Sequence, residues 1–216
     1  MQGFLIGLKL KNKTAREAFV ELLGKLKLPD AEPLYRKIMK KLPANLQVKI
    51  LEQVLKTPDL KQVGFLRPLL KSKDKKVRLR VAVALAERGD RAGRKELILA
   101  LEGGDKATKL KALKALKHVA GKDLVPHLKA FTRDPKVSED LLRAALEIHA
   151  VLKTASLVKW LRKQIFGTTV RTLGIQAAAL TVLGKVQGVG ALPALHGRLD
   201  HGAPSIRIAV ARALRD

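Results

Sequence analysis

One stretch constrains the chain more than any other, because it recurs: Asp74 to Asp90, DKKVRLRVAVALAERGD. Asp74 stands where a helix N-cap belongs, and a carboxylate there can accept a hydrogen bond from a free backbone N–H. Val77, Val81, Ala84, Leu85 and Arg88 follow at three- and four-residue spacing, one stripe of a helix. Gly89 with Asp90 is a stop signal. Leu85 heads a column of large apolar residues, Leu23, Leu55, Leu85, Leu116, Ile148, Leu180 and Leu214, whose members are 30 to 34 residues apart. The residue four earlier recurs as Phe19, Leu51, Val81, Ala112, Ala144, Gln176 and Val210. The residue just before recurs as Leu22, Val54, Ala84, Ala115, Glu147, Ala179 and Ala213, so Gln176 and Glu147 are the two blemishes. A repeat of this length signals stacked supersecondary units.

Shorter apolar segments alternate with these repeating helices and read as the outer partners of helix pairs. The inner helices read as 14–27, 44–56, 75–88, 106–120, 134–152, 169–186 and 205–214, the first opening on the capping box TARE at Thr14. Pro29 and Pro33 bracket a turn before a short helix over 34–42. The outer segments include 59–70 with Pro68, 91–101, a short helix from Asp123, 156–166 stopped by Gly167, and a helix ending at Leu199. About thirteen helices pair into six or seven units, and no segment alternates as a half-buried strand does. Residues 4–10 read as the outer helix of a first unit, so that 1–13 is a truncated or capping element. The whole of 1–216 reads as a single repeat domain, clearest over 70–216.

The phrase Val77-Arg78-x-x-Val81-Ala82-x-Ala84-Leu85, preceded by Asp74, resembles the HEAT repeat, particularly the short bacterial type also seen in phycobilin lyases. Residues 206–214, IRIAVARAL, are similar; 108–116 carry Thr108–Lys109 at the Val-Arg position, and 140–148 and 172–180 match more weakly. The resemblance implies an all-α, right-handed α-solenoid, a superhelix of about six to seven HEAT-like helical hairpins. It also implies that the helix with this phrase lines a concave layer, the usual binding face. It identifies an architecture and no activity.

The formal net charge of +25 exceeds what solubility requires and suits an acidic protein, nucleic acid or an anionic surface. Residues 71–80, KSKDKKVRLR, gather Lys71, Lys73, Lys75, Lys76, Arg78 and Arg80 around Asp74 alone. The cluster spans a loop and a helix N-terminus, where free N–H groups also suit an anion such as phosphate. The next inner helix repeats the idea with Lys106, Lys109, Lys111, Lys114 and Lys117, and Lys111, Lys114 and His118 lie opposite its alanine stripe. Arg80, Lys111 and Arg143 each stand five residues before a column member and would form a row along the inner face. Lys71, Lys73, Lys75, Lys76, Arg78, Arg80, Lys109, Lys111, Lys114 and Arg143 are the candidate partner-binding residues. The competing account is a solvated lysine-rich surface. Residues up to 117 hold 29 basic and 12 acidic groups, against 15 and 7 beyond, which favours the N-terminal half as the contact.

Other chemistry finds little support. Aromatic residues are only 3%, too few for base stacking among the lysines, and Trp160 reads as a partly buried packing residue. There is no cysteine, so no disulfide or thiolate metal site. The five histidines show no ligand pair, and His196, Asp200 and His201 read as ordinary helix-end residues. His118 and His149 read as surface or pH-insensitive packing residues. There is no nucleophile elbow and no P-loop, and Gly188–Gly190 follows a helix where a dinucleotide motif needs a strand. Glu147 is expected to pair with Arg143. The expectation is thus a non-enzymatic scaffold without metal or cofactor, binding an acidic partner, a protein in the first place and duplex DNA in the second. A HEAT-like alkylpurine DNA glycosylase comes third, because the tryptophans and the acid–aromatic pair of that family have no match here. No run reaches the roughly 18 apolar residues of a membrane span, and residues 3–8 lack the flanks of a signal peptide, which together point to the cytoplasm. The last inner helix lacks a polar cap, so that end is expected to be covered by a partner or to be cut from a longer chain.

Overall fold

The computed structural model describes residues 14, 18, 39, 42–56, 63–167 and 172–215. The helices expected over 4–10, 14–27 and 34–42 lie largely outside the described residues, as do Phe19, Leu22 and Leu23. Ten α-helices and five 3-10 segments are described, and no strand occurs among the described residues. The helices are α1 (Ala44–Lys56), α2 (Lys75–Ala86), α3 (Arg94–Gly103), α4 (Lys106–His118), α5 (Val125–Arg133), α6 (Glu139–Val151), α7 (Val158–Phe166), α8 (Leu173–Gln187), α9 (Leu192–His196) and α10 (Pro204–Arg215). The chain divides into two compact units, Met1–Ala100 and Leu101–Asp216.

In the first unit α1 packs on α2, and the 3-10 segments Gly64–Lys71 and Arg91–Gly93 pack on the same helix. Leu46, Ile50, Leu51, Phe65, Leu66, Val77, Val81 and Leu85 make its core. Pro68 stands within the 3-10 stretch, where the outer α-helix was expected from 59. Helix α2 begins at the expected cap, since Asp74 Oδ1 accepts from the N–H groups of Lys76 at 2.7 Å and Val77 at 3.4 Å. It is stopped by Gly89, whose φ of +77° suits glycine, and the Asp90 N–H returns to the Leu85 carbonyl at 2.9 Å.

In the second unit the inner helices α4, α6, α8 and α10 stack in chain order, with α5 against α6, α7 against α8 and α9 against α10. Stacked hairpins of this kind are the architecture of an α-solenoid. Leu142, Leu146, Leu161, Ile165, Leu180, Leu183, Leu195 and Val210 fill the core. The stretch Leu173–His196 is long and apolar enough to cross a membrane by length and composition, contrary to the sequence expectation. Its residues Ile175, Ala179, Leu180 and Leu183 are buried in this core, and α8 ends where Gly188 turns to φ +53°.

Two boundaries differ from the expectation. Helix α6 starts at Glu139 and not at Asp134–Pro135. Asp134 instead closes α5 and folds its carboxylate onto the Lys136 N–H at 2.8 Å, a turn that occupies the stretch before the helix. Helix α8 starts at Leu173, capped by Thr172, whose Oγ1 accepts from the Ile175 N–H at 3.1 Å.

The caps also correct the register of the repeat. Each inner helix is preceded by a residue whose carbonyl accepts from the N–H four positions on: Pro43, Asp74, Asp105, Ser138, Thr172 and Ala203. Counting from these, the seventh residues are Ile50, Val81, Ala112, Ala145, Ala179 and Val210, and all are buried. The sequence columns are in step at Leu85, Leu116 and Leu214 and slip at the other repeats, because the caps are 31, 31, 33, 34 and 31 residues apart. Glu147 is then no blemish: it is an exposed ninth residue, and Ile148 is the buried tenth. Leu214, expected in the apolar column, is 45% exposed, whereas Ala213 is buried.

Candidate partner-binding surface

The fourth position after each cap separates structural cations from free ones. It is held by Gln47, Arg78, Lys109, Leu142, Gln176 and Arg207. Arg78 Nη1 donates to the carbonyls of Ser72 at 2.8 Å and Lys73 at 3.2 Å, and its Nε donates to Glu96 Oε2 at 3.1 Å. Arg207 Nη1 makes the same pair of bonds to His201 at 2.8 Å and Gly202 at 3.1 Å. Gln47 Nε2 reaches the carbonyls of Met39 at 2.8 Å and Leu42 at 3.0 Å, and Gln176 Nε2 reaches that of Ile165 at 2.8 Å. A long side chain here closes the preceding turn by satisfying carbonyls that no helix serves. Gln176, read as a flaw in the apolar column, is one of these clamps.

Four of the candidate lysines around α2 are not engaged in this way. Lys71, Lys73, Lys75 and Lys76 are exposed, and no ion pair occupies their ammonium groups among the described residues. The free N–H groups expected beside them are taken, since Asp74 caps the helix end. Arg80 is also committed: its Nη2 lies 2.9 Å from Glu52 Oε1. Asp90, on the same unit, is pulled two ways. Burial raises its pKa, but hydrogen bonds from Arg67 and the Ala92 N–H, with the Arg67 charge, hold it below the usual carboxylate range.

In the second unit Lys111 and Lys114 are exposed on α4. The Thr108 N–H bond, aided by the Lys111 charge, holds Asp105 below its ordinary pKa. Arg143 Nη1 lies 3.7 Å from Glu139 Oε1, and Glu147 pairs with Lys117 at 2.7 Å, so the expected Glu147–Arg143 bridge is not formed. Arg80 and Lys111 are each sixth after their caps, whereas Arg143 is fifth, so the three are not equivalent positions. Trp160 is half-buried against the core of this unit. His149 is wholly buried at the eleventh position, where Leu85, Leu116 and Leu183 stand in other repeats. Burial lowers its pKa to about 4, so it packs as a neutral residue around neutral pH and titrates only in acid. His201 Nδ1 accepts from the Ala203 N–H at 3.1 Å, a turn contact. Among the described residues no group of three acids or histidines could hold a metal.

Sequence reasoning missed a cavity of about 630 Å³ bounded by the ends of α3, α4, α5 and α6. Lys109, Lys136 and Ser138 line it, and of these only Lys109 was singled out in sequence.

Helical hairpins stacked in chain order define an α-solenoid. Residues 63–150, less than half of the chain, match the family model for HEAT repeats. Among solved structures, a crystal structure of an engineered protein from a structural-genomics consortium is 17% identical, with 99% of this chain and 94% of that chain covered and a TM-score of 0.46. No curated protein matches the chain in sequence. HEAT repeats commonly mediate protein interactions, and the matched stretch is a repeat scaffold of that kind.

Proposed function

We propose that the chain is a non-enzymatic scaffold in the cytoplasm that binds an acidic protein through its basic surface. The observation that carries this reading is the contrast within one short segment. Arg78 and Arg80 are held by Ser72, Lys73, Glu96 and Glu52, while Lys71, Lys73, Lys75 and Lys76 point no ammonium at any acid among the described residues. Uncompensated charge of this density attracts polyanions, speeds encounter and weakens with salt. Lys111 and Lys114 extend the same character to α4.

The test is binding of labelled polyglutamate and of a labelled DNA duplex across a salt series. Polyglutamate binding is expected, with affinity falling as salt rises. Reversing Lys71, Lys73, Lys75 and Lys76 to glutamate should abolish most of it and flatten the salt slope. Unchanged binding in that variant would remove the basic surface from the account. Duplex binding with a slope of several phosphates, and none to polyglutamate, would make nucleic acid the partner.

A further inference from the structure

Two departures from the repeat's own pattern meet at one cavity in the second unit. Lys109 occupies the fourth position, where Gln47, Arg78, Gln176 and Arg207 fold back on carbonyls, yet its ammonium has no partner among the described residues and it lines the cavity. Ser138 occupies the cap position, where Asp74, Asp105 and Thr172 accept from helix N–H groups, yet it makes no such bond. Its Oγ is buried without a hydrogen-bond partner among the described residues, and it lines the same cavity. Places where a sequence breaks its own local rule without a structural gain are where function is to be sought.

The remaining lining fixes the ligand's chemistry. Leu101, Phe131 and Leu141, buried but for 4%, 7% and 6% of their surface, form an apolar floor. Of the acids nearby, Glu102 Oε1 lies 3.2 Å from His127 Nδ1, and Asp140 lies 3.4 Å from Lys106. Asp134 accepts the Lys136 N–H at 2.8 Å. The ammonium groups of Lys109 and Lys136 have no acid partner among the described residues. A volume of about 630 Å³ lies within the range of ligand sites. A phosphate backbone has nothing to place on an apolar floor, whereas an acidic peptide with one bulky side chain does.

We propose that this cavity anchors an acidic segment of a partner protein by an apolar side chain, with the neighbouring carboxylate held by Lys109, Lys136 and the Ser138 hydroxyl. The proposal rests on the acidic-partner reading above and adds its specificity.

The probes are two labelled five-residue peptides, four aspartates around a central phenylalanine and the same with a central alanine. Anisotropy on the full chain at low salt should show the phenylalanine peptide bound about tenfold more tightly, the scale of burying one such ring. Ala130→Trp, which places an indole in the cavity, and separately Lys109→Ala, should bring the two peptides close to parity, with thermal melts confirming that both variants fold. Reversing Lys71, Lys73, Lys75 and Lys76 should keep the preference. Equal affinity for the two peptides, or a preference that survives both Ala130→Trp and Lys109→Ala, overturns the anchor and leaves the acidic-partner reading standing. Failure of both peptides to bind overturns the anchor and the acidic-partner reading together.

Discussion

Arg78 Nη1 donates to the Ser72 carbonyl at 2.8 Å, six residues back along the chain. The guanidinium thereby ties the turn before α2 to the helix that follows, and through Glu96 to α3. Arg207 repeats this contact before α10. A charged side chain in this place acts as a fastener.

Replacing Arg78 by methionine keeps much of its stem but removes three hydrogen bonds. A loss of about 1–3 kcal/mol in stability is expected, the range for bonds made by a charged donor. Arg80→Met removes only an exposed ion pair with Glu52 and should cost less than about 1 kcal/mol. Urea titration of both variants checks the contrast, and equal losses would count against the fastener role.

His149 makes stability depend on acidity. Its Nδ1 lies 3.1 Å from Thr154 Oγ1, its Nε2 is buried without a partner, and its pKa falls from 6.5 to about 4 through burial and then the Lys129 charge. The unfolded chain takes up a proton more readily than the folded one. The stabilisation is complete above pH 6.5 and is lost as pH falls towards about 4, with about 3 kcal/mol at stake. His149→Leu with Thr154→Val restores the apolar pattern of the other repeats. Melting curves at neutral pH and at pH 5 should differ less for this variant than for the parent.

Glycines mark the closest helix approaches. A Cβ on Gly93 would lie 2.6 Å from Ala82 Cα, and one on Gly184 would lie 2.9 Å from both Cβ and the carbonyl oxygen of Ala213. Gly93→Ala and Gly184→Ala should each destabilise by about 1–3 kcal/mol, since backbone must move. Gly103→Ala meets nothing within 4 Å and should leave the melting temperature close to the parent's.

Asp74 couples the stability of α2 to the charge of the surface. Asp74→Ala removes the cap, at a cost of about 1 kcal/mol, and frees the Lys76 and Val77 N–H groups while removing the one acid of the segment 71–80. The melting temperature should fall while polyglutamate affinity rises. A fall in both would show that the cluster depends on the intact helix end.

Much of the fold was legible. The pattern from Pro43 to Lys56 marks α1 at both ends, and Asp74 and Asp105 act as the caps their positions announce. Caps, stops and apolar stripes are local, so neighbouring residues suffice to read them. The register was less legible, because turns of different length shift it without altering any helix. Glu147 shows the limit for the surface: its partner is Lys117, 30 residues away, and spacing along its own helix pointed to Arg143.

The chain's order of residues thus set the polarity and repeat of the described inner helices, since helix formation answers to contacts three and four positions apart. Only the packed hairpins decided which cations are fasteners and which are free, because a guanidinium chooses its carbonyls by where the preceding turn is held. The same packing placed Lys109, Lys136 and Ser138 around one cavity, although they come from two repeats. A juxtaposition made by stacking leaves no trace in spacing along the sequence.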